Sequence, residues 1–116
     1  MKEMKKAVEH NGKTYYLYFN LNVMEEIQSE YETLEKWGEK TDGNGGECDI
    51  KALIFGFRAM LNEGIDIENE RTGKNEPMLT SKQAGRLLTD IGLENMTDTM
   101  NALVIESSAT GDEKNV

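Results

Sequence analysis

Asn11-Gly12 constrains the fold of this chain more than any other pair of residues. A two-residue type I′ turn needs φ > 0 at both central positions, and Asn-Gly meets that need at little steric cost. Residues 3–20 are therefore predicted to form an antiparallel β-hairpin. The run after the turn, Thr14-Tyr-Tyr-Leu-Tyr-Phe19, is rich in aromatic residues that suit a pleated surface. Tyr15, Leu17 and Phe19 fall on one face of it, and Tyr16 and Tyr18 on the other. Apolar character on both faces implies that the second face is covered too, by the chain itself or by a partner.

The remainder reads as helices. Asn22-Val-Met-Glu25 has the spacing of a capping box and opens a helix with Val23 or Met24, Ile27, Tyr31 and Leu34 on one stripe. Trp37 and Gly38 are expected to end it, and residues 38–48, with four glycines, to form a flexible loop. Asp49 caps a second helix, whose broad apolar face carries Ile50, Leu53, Ile54, Phe57, Met60 and Leu61, with Ala52 and Phe55 beside it. Gly64 is read as its end. In the acidic stretch 62–77, Ile65 and Ile67 alternate with Asp66 and Glu68 as in a short strand, and Pro77 holds Glu76 extended. Thr80-Ser-Lys-Gln83 is a capping box for a helix carrying Ala84, Leu87, Leu88 and Ile91, closed by Gly92. A last helix starts near Glu94 with Met96, Met100, Leu103 and Val104 on one side. The fold class is thus α+β, mainly α: an N-terminal hairpin followed by about four helices. Residues 1–106 form a single domain, and 107–116 a disordered acidic tail.

Charge and composition exclude whole classes of function. The chain has 116 residues, with 13 Lys+Arg against 22 Asp+Glu, a net charge of −9. Its basic cluster, Lys2, Lys5 and Lys6, is diluted by Glu3, so nucleic acid and anionic membranes are poor partners. The longest apolar run, Ala52-Leu-Ile-Phe55, is far short of the roughly 18 residues a bilayer span needs. The N-terminus lacks the apolar region of a secretory signal, and the single Cys48 suits a reducing cytoplasm.

No pattern of residues points to catalysis or to a cofactor. With one Cys and one His, a structural zinc site fails on ligand count. The calcium-loop-like start at Asp42 has Leu53 where the bidentate Glu belongs, and the one at Asp66 has Arg71 in place of the glycine and Pro77 in place of the glutamate. Gly43 to Gly46 is not followed by GK[ST], so it is no phosphate loop. No metal ligands are assigned, and Cys48 and His10 read as ordinary small and turn residues. Seven methionines are many for this length and can form adaptable contacts. The candidate partner-binding residues are Tyr16 and Tyr18 on the second hairpin face, Trp37 at a helix end, and Met60, Met96 and Met100 on the helical stripes. For all six, packing is the competing role: the tyrosines with their hydroxyls at the rim, Trp37 as a core lid, and the methionines as irregular core filling.

Three segments carry a resemblance. Phe19-Asn20-Leu21-Asn22 enters the first helix, Thr33-Leu34-Glu35-Lys36-Trp37 ends it, and Leu79 to Leu88 precedes the last helix. In this order, within residues 12–107, they resemble the tail assembly chaperones of long-tailed bacteriophages and prophages of Gram-positive hosts. The resemblance implies a non-catalytic protein of the host cytoplasm that binds and solubilises the tape-measure protein and helps recruit tail-tube subunits. It further implies absence from the mature virion, and a homo-oligomer as one assembly form. Two other readings share this size and charge. One is a structural virion component such as a head–tail connector or completion protein. The other is an acidic mimic of nucleic acid, which would need carboxylates at phosphate-like spacing.

Overall fold

The computed structural model describes residues 3–42 and 48–113. Strands β1 (Met4–His10) and β2 (Lys13–Phe19) pair antiparallel, from Met4 opposite Phe19 to His10 opposite Lys13. The turn is the expected one, with Asn11 at φ 52° and Gly12 at φ 77°. A two-residue loop makes His10–Lys13 a hydrogen-bonded pair, so Tyr16 falls on a non-bonded pair and its carbonyl points away from β1. Five helices follow: α1 (Leu21–Tyr31), α2 (Leu34–Asp42), α3 (Ile50–Thr72), α4 (Ser81–Ile91) and α5 (Leu93–Glu113). The fold is α+β, mainly α. One core takes residues from β2 and the five helices: Leu17 and Phe19 of β2, Val23 and Ile27 of α1, Trp37 of α2, Leu53, Phe57 and Met60 of α3, Leu88 of α4, and Met96, Met100 and Leu103 of α5, with Met4 and Val8 of β1 packed against it.

Five helices stand where about four were expected, because the first predicted helix is two. Its cap is Asn20, not Asn22: the Asn20 side chain accepts from the Val23 amide, and its Nδ2 donates to both Glu3 and Glu63 at 2.8 Å. One amide therefore joins the hairpin, α1 and α3. The break comes at Glu32, held at φ 73° with its amide bonded to the Gln28 carbonyl. Thr33 restarts the helix by accepting from the Lys36 amide at 3.0 Å. Trp37 and Gly38 then lie inside α2, which runs to Asp42, so the loop expected over 38–48 is helical at its start. Residues 43–47 lie outside the described residues. Cys48 and Asp49 return to the end of α2, where the Cys48 thiol donates to the Thr41 carbonyl and the Asp49 amide to that of Lys40.

Helix α3 corrects a second expectation. It passes through Gly64 and through Ile65 and Ile67, ending at Gly73, which has φ 77° and donates to the Asn69 carbonyl. Leu61, Gly64, Ile65 and Glu68 are spaced as one helical stripe, and that period wins over the local alternation. Gly64 is a point of close approach, not a stop. A Cβ placed there would lie 1.8 Å from the Tyr16 carbonyl oxygen, so α3 lies backbone to backbone against the edge of β2. At the other end of the chain, α5 continues past Ser107, which is fully buried, to Glu113. The tail expected from 107 thus starts as helix, while 114–116 lie outside the described residues.

Residues 73–80 form an extended strap from α3 to α4, held by two asparagines seven residues apart on α3. The Asn69 side chain donates to the Glu76 carbonyl and accepts from its amide, both at 3.0 Å. Asn62 does the same for Leu79, at 3.0 and 2.9 Å. Each amide mimics a strand partner for a segment that has none. Asn62→Ala is expected to cost about 1–3 kcal/mol, because it strands both backbone groups of Leu79. Hydrogen exchange at the Leu79 amide checks this: the variant should exchange faster there, and unchanged protection would refute the role.

Glu68 ties α3 to the hairpin. It accepts from Arg71 Nε and Nη2 and, at 3.4 Å, from the Tyr18 hydroxyl. The Arg71 hydrogen bond holds its carboxyl below the ordinary value of 4.5, and Tyr18 adds to that. A lowered carboxyl stabilises the fold above its unfolded pKa, and that contribution disappears as pH falls through the folded value. The melting-temperature difference between wild type and Glu68→Gln should therefore narrow as pH drops from about 6 to about 3. A gap independent of pH would show that the contact carries no linked stability.

Candidate functional site

Five of the six residues expected to meet a partner are core residues. Trp37 is 2% exposed, Met60 0%, Met96 1%, Met100 1% and Tyr18 6%. The Trp37 indole lies over the Gly56 turn of α3 and donates to the Ala52 carbonyl at 2.8 Å. Met96, Met100, Leu103 and Ser107 form one buried stripe of α5, so the methionine spacing reports burial. Tyr16 is half-buried. Lys5, which stands opposite Tyr18 and diagonal to Tyr16, holds its ammonium 5.1 Å from the Tyr16 ring centre and 5.7 Å from that of Tyr18. The core brings Trp37, Met60, Met96 and Met100 together in its interior, and the six form no common exposed face. His10 sits at the hairpin tip, 3.5 Å from Asp90 of α4.

Three surface recesses compete as a site. A cleft of about 540 Å³ between β2, α3 and the strap carries Lys13, Glu68, Arg71, Lys74 and Glu76, of which Lys13 pairs with Glu76 and Arg71 with Glu68. A recess of about 580 Å³ between α2 and α5 is lined by Leu34, Trp37, Val104 and Ile105, with Glu35 and Glu39 among its lining residues. The third lies between the first turns of α3 and α4. It is a groove of about 550 Å³ lined by Ile50, Ile54, Phe55, Gly85, Ser81 and two lysines, Lys51 and Lys82. A smaller recess shares Ile50, Ile54 and Gly85 with it and extends it to Leu88 and Leu93. This apolar ground is open: Ile50 is 47% exposed and Leu93 44%.

The groove follows from helix geometry. The apolar face of α3 is wider than the core needs. Leu53, Phe57 and Met60 turn inward, which leaves Ile50, Ile54 and Phe55 at the margin. The Asp49 side chain caps α3 by accepting from the amides of Lys51 and Ala52, and the Thr80–Gln83 capping box fixes the start of α4. Gly85 forms the floor, because a side chain there would begin 3.5 Å from Ile54 Cδ1, in the groove itself. One wall is stiffened by aromatic contacts. Tyr31 meets Phe55 edge to face at 5.5 Å, and the Arg58 guanidinium lies 5.7 Å from the centre of the same ring. Burial, then the nearby Asp49 and Glu30 carboxylates, push the Tyr31 hydroxyl pKa upward from its ordinary value.

Sequence reasoning placed Ile50 and Ile54 on the core face and singled out neither Gly85 nor Lys82. The available signal was a glycine inside the helical pattern of α4, which breaks propensity and so marks a packing or functional need. Among the described residues, no group of three or more His, Cys, Asp or Glu is placed to hold a metal ion, and no helix is long and apolar enough to cross a membrane. The architecture defines the class: an α+β, mainly α fold with an apolar groove open between two helix starts. Compared with protein-family models, curated proteins and solved structures, the chain matches none.

Proposed function

We propose that this chain is a tail assembly chaperone of a long-tailed bacteriophage or prophage of a Gram-positive host. It binds the tape-measure protein, keeps it dissolved and helps recruit tail-tube subunits. It acts by reversible binding, without chemistry, in the host cytoplasm, and does not remain in the mature virion. The observation that carries the reading is the open apolar groove between α3 and α4 on a strongly acidic chain. A holder needs apolar ground for a client that is insoluble alone, and enough like charge to keep the complex apart from its copies.

The segments behind the resemblance support the reading from a second side, because each lies at a joint of the fold. Asn20 caps α1, Thr33 restarts the chain into α2, and Thr80 with Gln83 opens α4. Of these joints, the Thr80–Gln83 box sets the start of α4, one of the two helix starts that line the groove. The test is co-expression with the tape-measure reading frame of the source genome. The client should enter the soluble fraction and co-purify with this chain. A client equally soluble or equally insoluble with and without it would refute the reading.

A further inference from the structure

We propose that the α3–α4 groove receives one amphipathic helix of a partner protein, with acidic residues flanking its apolar stripe. The inference rests on the reading of the chain as a holder and adds the chemistry of what is held. Charge complementarity selects the occupant. The chain has 22 acidic and 13 basic residues, yet the charged side chains lining the groove are Lys51 and Lys82 alone. Arg58 adds a third cation over the Phe55 ring. The Asp49 carboxylate nearby caps α3 through one oxygen, which the amides of Lys51 and Ala52 bond, and it does not line the groove.

The two lysines also break a local rule. Each is the second residue of its helix, where the macrodipole favours an acid, and neither α3 nor α4 has an acid in its first turn. On so acidic a chain, two cations kept at unfavourable positions on one groove mark a requirement outside folding. The occupant's form follows from the walls. Both are helix starts whose first-turn amides are engaged in part by the Asp49 and Thr80 caps, and neither presents the continuous edge that a strand would pair with. A segment docking there must satisfy its own backbone, and a helix does.

The test uses the full chain and two fluorescein-labelled helical peptides with the same leucine stripe, one flanked by Glu and one by Lys. Fluorescence anisotropy should give about tenfold tighter binding of the Glu-flanked peptide at low salt, as expected for two or three rim pairs. The Lys51→Glu/Lys82→Glu variant should reverse the preference, and acids at those positions suit both helix starts, so it will fold. Gly85→Leu, whose Cβ alone would stand at an ordinary 3.5 Å from Ile54 Cδ1, puts a side chain into the groove and should weaken both peptides at least about tenfold. A preference that survives the charge swap, or no binding at all, overturns the proposal. So does sedimentation that shows self-association abolished by Gly85→Leu, which would make a second copy the occupant. The co-expression assay reads the holder role separately: if Gly85→Leu solubilises the client as well as wild type, the holder role stands and this site is wrong.

Discussion

Gly64→Ala is expected to destabilise the protein by about 3 kcal/mol or more, although alanine is the better helix former by about 1 kcal/mol. The reason is geometric. The new Cβ would lie 1.8 Å from the Tyr16 carbonyl oxygen and 2.8 Å from its carbon. Neither side can yield cheaply, since α3 is continuous through this point and Tyr16 is held in the ladder by its neighbours. Relief requires the hairpin to move off α3, which opens the packing around Leu17 and Tyr18. Domains of this size are stable by about 5–15 kcal/mol, so a loss of this order removes a large share and should lower Tm by roughly 10 °C or more. Gly38→Ala is the control. It lies inside α2 with nothing within 4 Å of its Cβ position, and should stabilise slightly. Chemical denaturation of both variants decides the matter. Gly64→Ala within about 0.5 kcal/mol of wild type would contradict the close approach.

Trp37→Ala is the second large effect, expected to cost about 3–5 kcal/mol. The ring is buried over the start of α3, and its Nε1–H satisfies the Ala52 carbonyl. Gly56 allows that position, because a Cβ there would fall 2.2 Å from Trp37 Cζ2. Gly56→Ala alone should therefore cost about 2–3 kcal/mol, less than at Gly64, because a side chain can shift where a strand cannot. In the Trp37→Ala background the same change should become neutral or stabilising, since the obstacle is gone and alanine suits a helix. The double-mutant cycle measures that coupling directly. Additive costs would mean that the indole does not rest on Gly56.

The contrast between these glycines shows what the sequence could and could not convey. Asn11-Gly12 announced its turn because the required backbone conformation is local. The capping residues Asp49 and Thr80 were legible for the same reason. Gly56 and Gly64 are set by what lies across from them, an indole and a strand carbonyl brought from 19 and 48 residues away. A pattern along the chain cannot hold that, so Gly64 was read as a stop. The split of the first helix was hidden by a continuous apolar stripe, while the short-range events at Glu32 and Thr33 decided the outcome. The methionines and Trp37 were visible as apolar, but burial depends on which face meets the hairpin. The groove was illegible in turn, because Ile50 and Ile54 share their period with the true core, and only the position of α4 leaves them uncovered.

In the proposed role this chain holds a client during assembly and then departs. The most direct measurement is its copy number, by quantitative mass spectrometry, in two samples from one induced culture: tape-measure complexes captured midway through assembly, and purified finished particles. The chain should be present in the first sample and absent from the second. A fixed number of copies in finished particles, with none on the captured tape-measure protein, would contradict that role and make the chain a structural part of the virion.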